Sequence, residues 1–547
     1  MTLRGRWHAV AAWLIVAAAV LLPLLTVPIG ALDDRGDEAY QAMCVRFYDH
    51  SPLAMLSFRV GHVWTGIFGE TVFALRMLRW LCIELSAAIG CLYLYRCTRR
   101  LLLTAVTFGV AVLASEYGDA DIYNWDTGPM VFEAMGLVGM CAYMHRPSAL
   151  RATLLGALTA LMAASRLPLA AMAVLMVAVI AVWRFRERHS GHALRHALSD
   201  TALFALAAIL TALACTYIMI GGPAGFIAAF NPDNIITNHT ELSRFVDYFN
   251  LLLPWAVDAW VPMFGVAAAA TAYMLVRRRR VAVFVGLSVL LFLFYRYFSH
   301  FYYQYVELRM FGLSFPLFVV TVCALPAARL AGSGRQVRFP VPLWAIIVFQ
   351  LLIPFGSDQM FFHWTVAFTL PVALVYVYPA AGAGARRFLR VFLALALVSL
   401  LSIVLLFIRR GYSLYDRPGD DMPGNGPVKG STQTYDYMTK LCGVVDSLSA
   451  AGCNVHIVGQ RYAPLYVLTD TLPALRLHNY HFYGNSSDDA ETLRRSLGGA
   501  DAVILSRRGF TDDLMLRKAA PSIKMLERQG FVRRECGSDE GFLLYQR

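Results

Sequence analysis

Charge is scarce in this chain. Only 15% of its 547 residues are Asp, Glu, Lys or Arg, 58% are hydrophobic, and the mean hydropathy is +0.54. Soluble domains carry about 25% charged residues, so the composition excludes an ordinary soluble protein and indicates a polytopic membrane protein. Cysteine motifs are missing too. The ten cysteines include no C-x-x-C pair, which leaves zinc and dithiol redox sites without support. Cys82, Cys91, Cys97, Cys141, Cys215 and Cys323 lie in or beside apolar segments, where a thiol behaves as a small hydrophobe. Cys44 is alone in the first polar loop, and Cys442, Cys453 and Cys536 allow at most one disulfide among them. Neither a G-x-G-x-x-G nor a P-loop follows any predicted strand. The two halves of the apolar region show no internal repeat, a feature of many transporters. The formal charge of +12 is not a nucleic-acid footprint, because the basic residues come in short runs between apolar segments.

What is present is a series of apolar segments. A span needs about 20 apolar residues, and on that measure the chain holds roughly thirteen. They cover 9–30, 74–96, 101–115, 128–144, 150–165, 168–184, 200–220, 254–276, 281–298, 309–328, 341–356, 364–381 and 388–409. Those near 101 and 150 are short. The loops holding Arg99 and Arg100, His145 to Arg151, Arg184 to Arg195, Arg277 to Arg280, Arg329 to Arg338 and Arg386 to Arg390 are basic, and all fall on the side of Arg4 and Arg6. The alternating loops, 31–72, 116–127, 221–253, 299–308 and 357–363, are acidic or neutral. The positive-inside rule then predicts a cytoplasmic N-terminus, and the odd span count puts the C-terminal region outside. The first span is long and lacks a small-residue cleavage site, so we expect a signal anchor. Aromatics at 13% suit interfacial belts.

From about Gly411 the spans stop and Asp, Gly, Ser and Asn rise; Gly419 to Pro427 reads as a turn-rich linker. The rest predicts a small α/β domain: a helix over Tyr435 to Ala450, strands at Asn454 to Val458 and Ala502 to Leu505, a short helix from Pro521 to Gln529 with Pro in its first turn, and a closing strand at Gly541 to Tyr545. The expected division is 1–409 for the transmembrane part and 410–547 for a soluble α/β domain, with which we associate no chemistry.

The most informative stretch is Leu32 to Gln41, LDDRGDEAYQ, directly after the first span. It carries Asp33, Asp34, Asp37 and Glu38, at a depth where charge is costly without water or a partner. We take it as the candidate catalytic centre. Asp37 to Tyr48 predicts one helix; Leu53 to Phe68, amphipathic and aromatic, predicts a second lying in the membrane interface. Other outer-side candidates are His300, Glu307 and Arg309 within the aromatic stretch Tyr295 to Arg309, and Asp358 and His363 in FGSDQMFFH.

With its cytoplasmic N-terminus, long first outer loop, about thirteen spans and terminal α/β domain, the chain resembles the GT-C superfamily of membrane glycosyltransferases, which includes the lipid A aminoarabinose transferase and the protein O-mannosyltransferases. The short motif carrying the resemblance is Asp37-Glu38-Ala39-Tyr40, an Asp-Glu pair after the first span with Tyr two positions on. The resemblance implies that Asp37 is the catalytic carboxylate, with Glu38 its neighbour and Tyr40 beside the substrate. Asp33 and Asp34 are supporting residues or a competing base. Asp119 and Asp121 match an acidic pair that binds metal in metal-dependent members; other members work without metal, so a divalent cation stays open. Arg166, followed closely by Pro168, resembles a basic residue at the lipid phosphate, with snorkelling to the interface as the alternative.

The chemistry agrees with that resemblance. A sugar on a lipid phosphate has a good leaving group; it lacks a deprotonated nucleophile and a neutralised phosphate. The expected reaction is inverting displacement, with Asp37 as general base and Arg or His side chains holding the phosphate. The expected partners are a polyprenyl-phosphate-linked sugar donor, a lipid, glycan or protein acceptor, and membrane lipids, with no nucleic acid. The expected location, from the resemblance, is a bacterial inner membrane. The alternative from another class is a polytopic transporter or flippase.

Overall fold

The computed structural model describes residues 3–26, 32–33, 37–48, 55–116, 123–186, 193–220, 341–353, 365–380, most of 383–401, 428–429, 432–459, 469, 494, 499–506, 512–534 and 542–547. The expected spans at 254–276, 281–298 and 309–328 lie outside the described residues.

The apolar segments form helices close to where the hydropathy puts them. In chain order these are α1 (Leu3–Thr26), α2 (Asp37–Arg46), α3 (Leu56–Phe68), α4 (Val72–Thr98), α5 (Leu101–Glu116), α6 (Met130–His145), α7 (Ala149–Ser165), α8 (Met172–Arg186), α9 (Ala193–Ile220), α10 (Val341–Leu352) and α11 (Val366–Ala380). A 3-10 turn, Leu167–Ala171, leads into α8. Among the described residues four helical stretches are long and apolar enough to cross a membrane: Arg6–Leu24, Val72–Thr98, Leu167–Arg186 and Ala193–Met219. Several others are apolar but shorter. They include α5 and α7, with 16 and 17 residues, the segments that are short in the sequence as well.

α4 is the central helix of the bundle. More than half of its apolar window is buried, against 17% for α1 and 11% for α9, and it packs on α5, α6 and α11. Thr71 starts it by accepting the Ala74 N–H at 3.1 Å, the usual N-cap device. α1 and α9 carry outward rows of large apolar side chains, such as Trp13, Leu14, Leu206, Ile209 and Leu213, as lipid-facing helices do. α7 and α9 cross very closely: a Cβ at Gly156 would stand 2.1 Å from the Phe204 carbonyl oxygen. In lipid, where apolar burial gives little drive to helix association, such close backbone contact is a main source of attraction.

One buried polar cluster of the bundle is held by three short contacts to a single carboxylate oxygen. At the far ends of α6, α8 and the near end of α9, Arg184 reaches one oxygen of Asp200 through Nη2 at 2.7 Å and Nε at 2.8 Å, and the Tyr143 hydroxyl donates to the same oxygen at 2.6 Å. Arg184, read from the sequence as a loop charge, is therefore also part of a buried three-helix clamp.

The region after 428 contains the elements expected there, with shifted ends. β2 (Val428–Lys429) is followed by α12 (Thr432–Ala450), β3 (Val455–Gly459), β4 (Ala502–Ser506), α13 (Asp512–Arg528), β5 (Val532–Arg534) and β6 (Phe542–Gln546). The sheet order is β3-β4-β6-β5, with β3 parallel to β4 and the other pairs antiparallel. One expectation is corrected. Pro521 lies inside α13, not in its first turn. A proline costs one backbone bond in a helix interior, but beyond it Ile523 packs against the apolar core and Leu526 is fully buried. The sequence reading also missed β5. It is an exposed edge strand, VRR, whose two arginines carry no alternating apolar signal and blunt the sheet edge.

β1 (Leu32–Asp33), in the loop after α1, pairs in parallel with β2: Leu32 is the register partner of Val428 and Asp33 of Lys429. A second apolar core, distinct from that of the bundle, joins α2 (Ala42 to Val45), α3 (Phe58), the first turns of α4 (Val72, Leu75, Leu78) and Tyr123 to the C-terminal sheet (Val455, Ile457, Val503, Leu543).

Two predictions follow from packing. Asp200→Ala strands a buried guanidinium and a phenol, and should lower stability by about 3–5 kcal/mol, read as a fall in thermal midpoint in detergent micelles. The second concerns His456, fully buried in β3 with neither ring nitrogen hydrogen-bonded among the described residues. Burial pushes its pKa from 6.5 down to about 4. Between those values the unfolded chain binds a proton that the folded one refuses. Its contribution is therefore complete above pH 6.5 and shrinks as the pH falls to 4, by roughly 3 kcal/mol in all. Hydrogen exchange of the β3 amides should quicken from pH 7 to pH 4, after correction for intrinsic rates, and His456→Leu should flatten that dependence.

Candidate functional site

The site is built around a short turn between α5 and α6, Tyr123 to Pro129 (YNWDTGP). Asn124 shapes it. Its side-chain oxygen accepts the backbone N–H groups of Asp126 at 3.0 Å and Thr127 at 2.7 Å and the Thr127 hydroxyl at 3.0 Å, an Asx turn. The Tyr123 hydroxyl donates to the Ser57 carbonyl at 2.9 Å, and the Ser57 hydroxyl donates to the Ser165 carbonyl at 2.8 Å. The turn is thereby clamped between α3 and the end of α7. Burial holds the Tyr123 phenol well above its ordinary pKa, so it remains a neutral donor. Gly128 sits where no side chain fits: an added Cβ would lie 2.3 Å from Ser57 Oγ and 2.8 Å from the Tyr123 hydroxyl.

This turn presents Asp126 to Arg166. The guanidinium Nε lies 3.3 Å from a carboxylate oxygen of Asp126, with both side chains under 10% exposed. Nη1 of Arg166 also donates to the Ile353 carbonyl at the end of α10. Glu133, in the first turn of α6 and almost fully buried, is attracted by Arg166 and repelled by Asp126. Neither of its carboxylate oxygens has a hydrogen-bond partner among the described residues. On α4, Arg76 and Arg79 are buried one turn apart. Nη2 of Arg79 donates to the Ser115 carbonyl at 3.4 Å, and the Leu75 carbonyl accepts the Tyr123 N–H at 3.2 Å.

The helix carrying the acidic motif is tied to this turn. The side-chain oxygen of Gln41, in α2 and buried, accepts the Trp125 N–H at 2.8 Å. Asp37, Glu38 and Tyr40 form the turn of α2 just before Gln41. Thus a single hydrogen bond separates the helix of the Asp-Glu pair from the residue next to Asp126. Further along, the ring of Tyr48 stacks on His62 of α3 at 5.9 Å between centroids, and its hydroxyl donates to the Met219 carbonyl of α9 at 3.1 Å. The ends of α3, α5, α6, α7, α9 and α10 that meet here are those the loop charges assign to one side of the membrane.

Of the residues singled out in the sequence, Asp33 falls in β1 and Asp37, Glu38 and Tyr40 in α2. Arg166 is turned inward on Asp126 and Ile353 rather than outward to an interface. Asp34, Asp119, Asp121, His300, Arg309, Asp358 and His363 lie outside the described residues. Among the described residues no group of three His, Cys, Asp or Glu side chains is placed to hold a metal ion. Arg76, Arg79, Gln41 and Glu133 were not picked out from the sequence. Three of them had a signal: a charge inside an apolar helix is a functional-site candidate by default.

Gly128→Ala should disrupt this site, at a cost of about 1–3 kcal/mol for overpacking, with part of the loss recovered by adding Ser57→Gly; thermal unfolding of the single and double variants checks this.

No protein-family model and no curated protein matches the chain. Solved structures similar to it include ArnT from Cupriavidus metallidurans bound to undecaprenyl phosphate, at 13% identity and TM-score 0.43, covering 97% of each chain. The same protein in the apo state gives 13% identity and TM-score 0.48, covering 98% of each chain. The archaeal oligosaccharyltransferase AglB from Archaeoglobus fulgidus, in complex with an inhibitory peptide and a dolichol-phosphate, gives 11% identity and TM-score 0.49, over all of this chain and 74% of that one. No residue role here is taken from these likenesses.

Proposed function

We propose that this protein is an integral membrane glycosyltransferase of GT-C type, moving a sugar from a polyprenyl-phosphate carrier to an acceptor on the outer face of the membrane. The observation carrying this reading is the link from α2, through Gln41 and Trp125, to the buried Asp126–Arg166 pair. It places a helix that begins with Asp37 and Glu38 at the same end of the bundle as three buried arginines. A carboxylate base near concentrated positive charge is what displacement from a sugar phosphate requires.

In the proposed reaction Asp37 takes the proton of an acceptor hydroxyl as its oxygen attacks the anomeric carbon. The bond from that carbon to the phosphate oxygen breaks on the opposite face, so the configuration inverts. The lipid phosphate leaves with the bonding electrons, and arginine side chains stabilise the added charge. Arg76 and Arg79 are the candidates for this, with Arg166 holding the Tyr123–Pro129 turn in place. Glu38, Tyr40, Asp33 and Asp34 line the acceptor side in this reading, and His300, Arg309, Asp358 and His363 the donor side. Asp119 and Asp121 belong to the loop that leads into the turn, where a divalent cation would find its ligands. The transmembrane part spans 1–409 and the outer α/β domain 410–547. The location in this reading is a bacterial inner membrane, expected from the resemblance, with a cytoplasmic N-terminus, which the loop charges support.

The test uses the purified full chain in nanodiscs with a panel of polyprenyl-phosphate sugars, following loss of sugar from the carrier. Asp37→Asn should reduce turnover about 10²–10⁴-fold, as loss of a general base does, while donor binding persists. Unchanged turnover would remove Asp37 from this role. Binding without turnover by the wild type, with acceptors supplied, would favour the transporter or flippase.

A further inference from the structure

The C-terminal region was expected to carry no chemistry, yet it touches the acidic loop at both ends. Upstream of α2, β1 pairs with β2, so Leu32 and Asp33 are held in register with Val428 and Lys429. At the other end of α2, Nη1 of Arg46 donates to the Thr469 carbonyl at 2.8 Å. The same guanidinium reaches Glu70, between α3 and α4, through Nε at 3.1 Å. Between these ties, Ala42, Met43, Cys44 and Val45 are buried in the apolar core shared with the C-terminal sheet. Four successive buried residues leave α2 no solvent face over that turn. Val45 packs at Gly61 of α3, and the same apolar core takes in side chains of α4 and of the C-terminal sheet.

We propose that the C-terminal region is a strap that sets the catalytic loop, and that Arg46 is a positioning residue acting through α2. The inference rests on the proposed role of Asp37. Its physical basis is leverage. α2 has 10 residues, too few for an isolated helix to persist in water, where about 12–15 are needed. Its placement therefore depends on what grips it. Arg46 grips two separate parts of the chain at once because its guanidinium is a planar fork; a lysine offers a single point charge. A displacement of the base of about 1 Å can cost 10²-fold in rate, so a loosened strap lowers turnover without touching substrate.

Two variants of the full chain in nanodiscs test this. Arg46→Ala should lower kcat about ten- to a hundredfold with the donor KM within about twofold, since α2 contributes the base and not the phosphate ligands, and Arg46→Lys should recover part of the loss. The second variant, Leu32→Cys with Val428→Cys, replaces register partners whose strands run close enough for a disulfide. Mild oxidation should form the cross-link, identified by mass spectrometry of the joined peptides, and the oxidised chain should turn over at least as fast as the same chain reduced. In the Arg46→Ala background the cross-link should restore part of the lost kcat, which a merely destabilising substitution would not predict. An unchanged kcat in Arg46→Ala, no cross-link, or a cross-link that abolishes turnover would each overturn the strap. If the wild type turns over no donor, the function reading fails on its own. Hydrogen exchange of the α2 amides then decides: faster in Arg46→Ala and slower in the cross-linked chain supports the strap, and no change overturns it.

Discussion

Asp126 and Arg166 meet where neither sees much water, and much of this end of the bundle is arranged around that pairing. Removing two charges from water is costly, and their attraction offsets the cost only when the remaining donors and lone pairs are also met. A backbone carbonyl meets one of them here. Asn124 folds the turn that aims Asp126, and the Ile353 carbonyl takes a second donor of Arg166. The ends of α5, α6, α7 and α10 are thus held at one point by groups that would be unfavourable there singly. Breaking such a pair leaves an uncompensated buried charge, a penalty of about 3–5 kcal/mol. This makes the turn a rigid support for whatever packs on it.

What packs on it is α2. A helix of 10 residues has little stability of its own, so its position is a tertiary property. Gln41, near its middle, fixes it to the turn and Arg46 fixes its last residue to the C-terminal region, with buried apolar residues between them. In the proposed reaction the base stands on a short helix that depends on its surroundings, held by a turn that is itself tightly hydrogen-bonded. The apolar bundle and the C-terminal strands are joined through this helix.

The legibility of the sequence varied with the kind of signal. Apolar runs located α1, α4, α8 and α9 closely, because burial in lipid asks only for length and hydropathy. β3, β4 and β6 were readable from short apolar runs, and α12 from its period. β5 was not, since an exposed edge strand buries nothing, and the start of α13 was misplaced because a proline was taken as a beginning. Arg166 was picked out on resemblance, and it faces inward, buried against Asp126 and the Ile353 carbonyl. Arg76, Arg79 and Glu133 passed unnoticed although each is a charge within an apolar helix. Gln41 had no signal at all: its importance is one hydrogen bond to a residue 84 positions away.

By itself, then, the amino-acid sequence determined that the chain is a largely helical membrane protein, where most of its described helices run, and which short loop concentrates acid. These follow from composition and from periods of one or two turns, which are local. Only the tertiary structure decided which ends of those helices meet, that Asp126 is the partner of Arg166, and that strands after residue 428 close over the loop after the first span. Such pairings join residues from 40 positions apart, as in Asp126 and Arg166, to 396 apart, as in Leu32 and Val428. They are selected by the need to satisfy buried charges and backbone groups in three dimensions, and no local pattern records them.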